Sequence, residues 1–226
     1  MSKHVDTKYY RAIRPRSISE KLLIRARANI YADFITHMKP CASDTILDVG
    51  VSDVINDGAN VLEREYPYQE QITACGLSSA EEFRMAFPKC VYRAIVANTP
   101  LPFHDNSFSI ATSNAVLEHV GSLENQAFFI DELCRVASKV FISVPNRYFP
   151  IEHHTAFPLV HYNNTDFDLA CSFFGKKEWA RKENLILMTK KRLNQLFRSD
   201  RGQALIGYTG IRIGPISSNL FAAFSQ

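Results

Sequence analysis

The stretch "TILDVGVSDVIND", residues 45–57, decides the fold. Thr45 to Val51 is a short apolar run rich in β-branched residues, the length and composition of a buried strand. Asn56 to Glu65 then reads as a helix, with Gly50 at the turn between them. Strand, glycine turn and helix in that order is the arrangement that places a nucleotide-type ligand at the end of a parallel strand. Such a turn usually carries two or three closely spaced glycines. Here Gly50 stands alone, followed by Ser52 and Asp53.

Outward from this stretch, strands and helices alternate. "SISE" (Ser17 to Glu20) is a capping box, and the helix it opens puts Leu23, Ala26, Ile30 and Phe34 on one face before Pro40 ends it. Further strands are expected at Gln71–Gly76, Cys90–Ile95, Phe108–Ser113 and Lys139–Val144, with helices starting near Ser79 and spanning Leu123–Val136. These strands read as apolar on both faces, as parallel central strands do. Pro145, Pro150 and Pro158 then predict a long functional loop, Arg147 to His161, that is not a packed element. A helix from Thr189 to Phe197 precedes two β-like runs, Leu205–Ile213 and Asn219–Phe224, able to pair through "GPISS". The expected fold is a doubly wound α/β domain: a mostly parallel seven-stranded sheet, a C-terminal antiparallel hairpin and an N-terminal helical lid. The expected organisation is one domain, with a lid at 1–40, a core at 45–144, a substrate-side loop and helical insertion at 145–183, and a terminal helix and hairpin at 184–226.

At 226 residues and 46% hydrophobic, the chain can bury a full core. A net charge of +3 lacks the concentrated basic stripe of a nucleic-acid binder, and Arg11, Arg14, Arg16, Arg25 and Arg27 read as a solvated face. The five cysteines are scattered with no C-x-x-C pair, which predicts a reducing cytoplasm and no structural metal. No apolar run reaches the length of a membrane span.

Three stretches in order, "ILDVG", "LPFHDNSFSIATSNAVLEHV" (Leu101 to Val120) and "VPNRYFPIE" (Val144 to Glu152), closely resemble the class I S-adenosylmethionine-dependent methyltransferases, in particular their type 11-like branch. The resemblance covers roughly Thr45 to Tyr162. It implies S-adenosylmethionine as cofactor and methylation of a small molecule or metabolite, with no nucleic-acid partner; a homodimer is compatible with it. Under it, Asp48, Val49, Gly50 and Ser52 hold the donor's amino-acid end, and Asp48 orients the turn. Ser78 stands where the family keeps a ribose-binding acid, and Ala97 where it keeps an adenine-contacting Asp, with Asn98 as partial substitute. Asn114 falls on the wall of the same pocket. Ser78 equally suits a helix cap, and His119 a hydrogen bond to the start of the following helix. His153 and His154 are the expected general bases, with Glu152 and His119 behind them, and Tyr9, Tyr10 and the Ser17 helix are expected to lid the pocket. The other reading is a non-methylating relative, a partner subunit or an enzyme of another reaction, motivated by Ser52, Ser78 and Ala97. Nucleic-acid modification is disfavoured because "SNAV" stands where N-P-P-Y would be expected.

Overall fold

The computed structural model describes residues 18–56, 58–197 and 203–225. Tyr9, Tyr10, the Ser17 cap, Arg11, Arg14 and Arg16 lie outside the described residues. The elements run α1 (Ile18–Met38), β1 (Ile46–Val49), α2 (Val61–Glu65), β2 (Ile72–Gly76), α3 (Glu81–Ala86), β3 (Val91–Ala94), β4 (Phe108–Asn114), α4 (Leu123–Val136), β5 (Ala137–Pro145), α5 (Asn164–Phe173), α6 (Lys190–Leu196), β6 (Leu205–Ile213) and β7 (Ile216–Ser225).

The strands form one seven-stranded sheet in the order β3-β2-β1-β4-β5-β7-β6. β1 to β5 are mutually parallel, while β7 runs antiparallel between β5 and β6. Asp48 of β1 is level with Ala74 of β2 and Thr112 of β4, so the three central strands end at one height. The expected sheet and terminal hairpin are both present. Helix α4 caps its own start, Ser122 Oγ accepting the Asn125 amide at 3.1 Å, and buries Ile130, Leu133 and Val136 against the sheet. On the other face α1 buries Ala26, Ile30, Phe34 and Met38, with Phe34 edge-on to Phe141 at 5.7 Å.

Three expectations change. The first crossover helix begins at Val61 rather than Asn56, because Asn60 takes a left-handed φ of 50° and its amide grips the backbone of Ser52 from both sides, at 2.9 and 2.8 Å. That pincer needs irregular chain. The third strand is not apolar on both faces: it closes the sheet at one edge, and Val91, Arg93 and Ala94 are exposed. The proline-rich loop is packed after all. An isolated β-bridge joins Ile151 to Pro158, and Glu152, His154 and Thr155 are buried within it.

Candidate active site

A single large cavity of about 800 Å³ opens beyond the carboxyl ends of β1, β2 and β4. That is where an open parallel sheet places ligands, and the size lies within the roughly 300–1,000 Å³ of small-molecule sites. Asp48, Val49, Gly50, Ser52, Ser78, Ala97, Asn98, Asn114, His119, His153 and His154 all line it. Helix α1 contributes Ala26, Arg27 and Ile30 to the same wall, so Arg27 belongs to the cavity and not to a solvated face.

The Gly50 turn is built around its own contacts. Gly50 has a φ of 107°, and its amide and that of Val51 both donate to the Cys75 carbonyl, at 2.8 and 3.0 Å. Ser52 is buried, and its hydroxyl accepts the Val54 amide at 3.0 Å inside the turn. Asp53 Oδ1 accepts the Phe83 amide at 3.0 Å, tying this turn to the first turn of α3. Ser78 does not cap α3. The N-cap there is Ala80, and the Ser78 hydroxyl accepts the Ala80 amide at 3.2 Å in a local turn. Asn98 takes a left-handed φ of 57°, which asparagine tolerates better than most residues, in the exposed turn beside Ala97. Asn114 Oδ1 accepts the Ser143 hydroxyl at 2.5 Å.

The "LPFHD" segment owes its shape to α4. Glu132 accepts the Leu101 amide at 2.7 Å, while Arg135 donates to the carbonyls of Leu101 and Phe103, at 3.0 and 2.9 Å, and to Asp105 at 2.8 Å. The motif is thus a clamped turn that fixes the approach to β4.

Asp48 faces Glu63 of α2, a carboxyl that is 0% exposed. Among the described residues no donor reaches either Glu63 oxygen, and burial beside a second acid favours the protonated carboxyl there. Burial pushes Asp48 up to about 7 and Glu63 well above the ordinary range, the two charges reinforcing each other at Glu63, while Arg27 acts in the opposite sense on Asp48.

At the other end of the cavity, the loop after β5 brings the histidines together. His154 Nδ1 lies 2.8 Å from Glu152 Oε1, and its Nε2 lies 3.1 Å from His119 Nε2. Both nitrogens of His154 are therefore engaged by protein, which corrects its expected role as a free general base. His119 Nδ1 meets the Asn184 carbonyl at 2.5 Å, not the start of α4. Among the described residues His153 Nε2 is buried without a protein partner, and burial lowers its pKa to about 4, which keeps this imidazole neutral. Trp179, the only tryptophan, lies with its ring 4.8 Å from that of His154. It belongs to a small separate core with Phe167, Cys171 and Leu185. Glu63, Glu118 and Trp179 carry no sequence signal that singles them out; only their burial does.

Residues 47–140 match the family described as Methyltransferase domain. The curated proteins offer no match. Among solved structures, the magnesium protoporphyrin IX methyltransferase of Synechocystis PCC 6803, with bound SAH, is similar at a TM-score of 0.62 and 9% identity, covering 96% of this chain and 92% of its own. The fold is that of the class I methyltransferases. A complex from Haloferax volcanii, of the Trm112 methyltransferase activator with a putative methyltransferase, shares this fold at a TM-score of 0.61 and 12% identity, over 99% of this chain and 97% of that one. A SAM-dependent methyltransferase of Methanosarcina mazei does so at 0.53 and 18% identity, over 84% and 94%. The match of residues 47–140 to the methyltransferase domain indicates S-adenosylmethionine as the cofactor. Among the described residues, no helix of the methyltransferase fold is long and apolar enough to cross a membrane.

Proposed function

We propose that the protein transfers the methyl group of S-adenosylmethionine to a small-molecule acceptor. One observation carries this reading: a continuous cavity of about 800 Å³ joins the Gly50 turn to the Phe149–Thr155 loop, giving donor and acceptor a common chamber. The shape suits the cofactor at the Gly50 end. Gly50 presents backbone without a side chain to the cavity, Ser78 supplies a hydroxyl at the ribose position, and Asn98 an amide near the adenine position. The donor supplies an activated sulfonium methyl; the acceptor's lone pair takes it as the carbon–sulfur pair returns to sulfur. What the chain adds is alignment and exclusion of water. Helix α1 and Trp179 both contribute to the lining of the cavity. His153, neutral and with a free Nε2, is the group placed to accept a proton if the acceptor must lose one.

Calorimetric titration with S-adenosylmethionine and its demethylated product tests this reading. Micromolar binding of either supports it. The missing carboxylates at 78 and 97 favour the second reading, a non-methylating relative, and silence of both titrations at millimolar concentration would decide for it.

A further inference from the structure

His119, on the turn after β4, and His154, on the loop after β5, meet at the inner wall of the cavity. His119 Nδ1 lies 2.5 Å from the Asn184 carbonyl, which can only accept, so the ring donates there. Glu152 Oε1 stands 2.8 Å from His154 Nδ1. Its Oε2 accepts the amides of His154 and Thr155 and the Thr155 hydroxyl, at 2.9, 2.6 and 2.6 Å. Glu152 is therefore an acceptor throughout, and His154 also donates from Nδ1. A neutral imidazole that donates from Nδ1 has a lone pair on Nε2. With both rings neutral, two lone-pair atoms confront each other at 3.1 Å, with the ring planes at 89°. Burial opposes charge on His154, but Glu152 outweighs it and raises the His154 pKa, so a proton on this Nε2 is the occupant that a cation would displace. Glu118 adds a carboxyl that is 1% exposed, which burial raises to about 7, whose oxygens have no hydrogen bond among the described residues, and whose Oε1 lies 3.9 Å from His119 Nε2.

We propose that Glu118, His119 and His154 form a binding site for a divalent transition-metal ion of the zinc class.

The spacing suits such an ion. Two metal–nitrogen bonds of about 2.0–2.1 Å meeting at about 100° set their nitrogens roughly 3.1–3.2 Å apart. All three donor atoms lie within 4.8 Å of one another, so at most about 1.6 Å separates the Glu118 carboxyl from ligand spacing. It borders a small cavity of about 10 Å³, also lined by His154, that gives it room to shift. The outer partners have the form metal-binding histidines use, a carbonyl on one ring and a carboxylate on the other, which fix the tautomers and leave both Nε2 atoms for the ion. Two imidazoles and one carboxylate favour zinc-like ions over magnesium or calcium, which prefer all-oxygen sites. Both imidazoles also line the large cavity, so the open position of a three-ligand site is reachable from it. Scattered cysteines predicted no structural metal, but they say nothing of imidazole and carboxylate ligands. The site does not depend on methyl transfer.

The competing occupant is a lone proton shared by the two nitrogens. Metal-stripped protein should be titrated with Co²⁺ by calorimetry and visible absorption, then with Zn²⁺. The expected result is one saturable equivalent with ligand-field absorption, displaced by Zn²⁺. Glu118→Gln should weaken binding at least tenfold and His154→Asn abolish it, with circular dichroism verifying that each variant is folded. Should a variant fail to fold, nitrogen-15 spectra of the wild-type imidazoles keep the question open to decision: Zn²⁺ must move the Nε2 resonances of two histidines and leave the others in place. Absence of saturable Co²⁺ binding up to millimolar concentration would mean the nitrogens share a proton only. Undiminished binding in folded Glu118→Gln and His154→Asn would place the ion elsewhere; either result overturns the proposal.

Discussion

A side chain at position 50 has nowhere to go: a Cβ on Gly50 would stand 2.1 Å from Cγ2 of Val116. Val116, just beyond β4, packs into the notch that the bare Gly50 backbone leaves, and the φ of 107° is one that side chains rarely adopt. The glycine requirement is therefore steric first, before any ligand arrives.

Gly50→Ala should destabilise the protein by about 2–4 kcal/mol, adding backbone strain to overpacking. Gly50→Val should do worse and lose the cofactor with the fold. Urea unfolding of Gly50→Ala and of Gly50→Ala/Val116→Ala separates the causes. The double variant should recover the overpacking share and keep the strain; equal stability of both would show that Val116 is not the obstacle.

The Asp48–Glu63 pair predicts a pH dependence. Both acids have raised pKa values in the folded state, Asp48 to about 7, so the folded protein holds more protons than the unfolded chain between the ordinary carboxyl values and neutrality. Stability from this pair is complete below the unfolded values and declines as pH rises through about 7. The buried histidines with lowered values work in the opposite sense, so the comparison with Glu63→Gln is what isolates the pair. The variant should overtake wild type by about 1–3 kcal/mol between pH 5 and pH 8 in urea titrations. A constant difference across that range would mean that the pair holds no extra proton.

Ser78→Asp and Ala97→Asp should each tighten S-adenosylmethionine binding by roughly tenfold or more, since a hydrogen bond to a carboxylate contributes about 1.5–3 kcal/mol. Calorimetry on the single and double variants measures this. Unchanged or weaker affinity in the double variant would indicate a pocket shaped for another ligand.

Trp179 is a built-in reporter. It is the sole tryptophan, 4% exposed, and lines the cavity beside His154, the wall at which the proposed acceptor would lie. Its emission should lie at the short-wavelength end expected of a buried indole and shift when an acceptor enters. Trp179→Ala should cost about 3–5 kcal/mol and Trp179→Phe much less. Emission insensitive to saturating acceptor would move the acceptor away from this wall.

The sequence by itself determined the sheet. Apolar runs of strand length at β1, β2, β4 and β5, the glycine between strand and helix, and two long β runs around "GPISS" follow from local periodicity, which any observer of the chain can count. It also determined that the residues at the ends of β1, β2 and β4 gather at the cavity, because the carboxyl ends of parallel strands converge whatever the loops do, though not that Arg27 and Trp179 join them. Only the tertiary structure decided what those residues touch. Asn60 shortens α2 through a bond to Ser52 eight positions away, and β3 is exposed because among the described residues no strand lies beyond it. The proline-rich stretch lacks a repeating pattern, yet it is ordered by Glu152, whose acceptors are met by its own loop. Nothing local marks Glu118 as an acid whose oxygens lack a hydrogen bond among the described residues, or aims His119 at an imidazole 35 residues along the chain. Periodicity reports the face on which a residue lies; the identity of the atom opposite is fixed by packing between segments distant in sequence, and the chemistry of this site resides in those contacts.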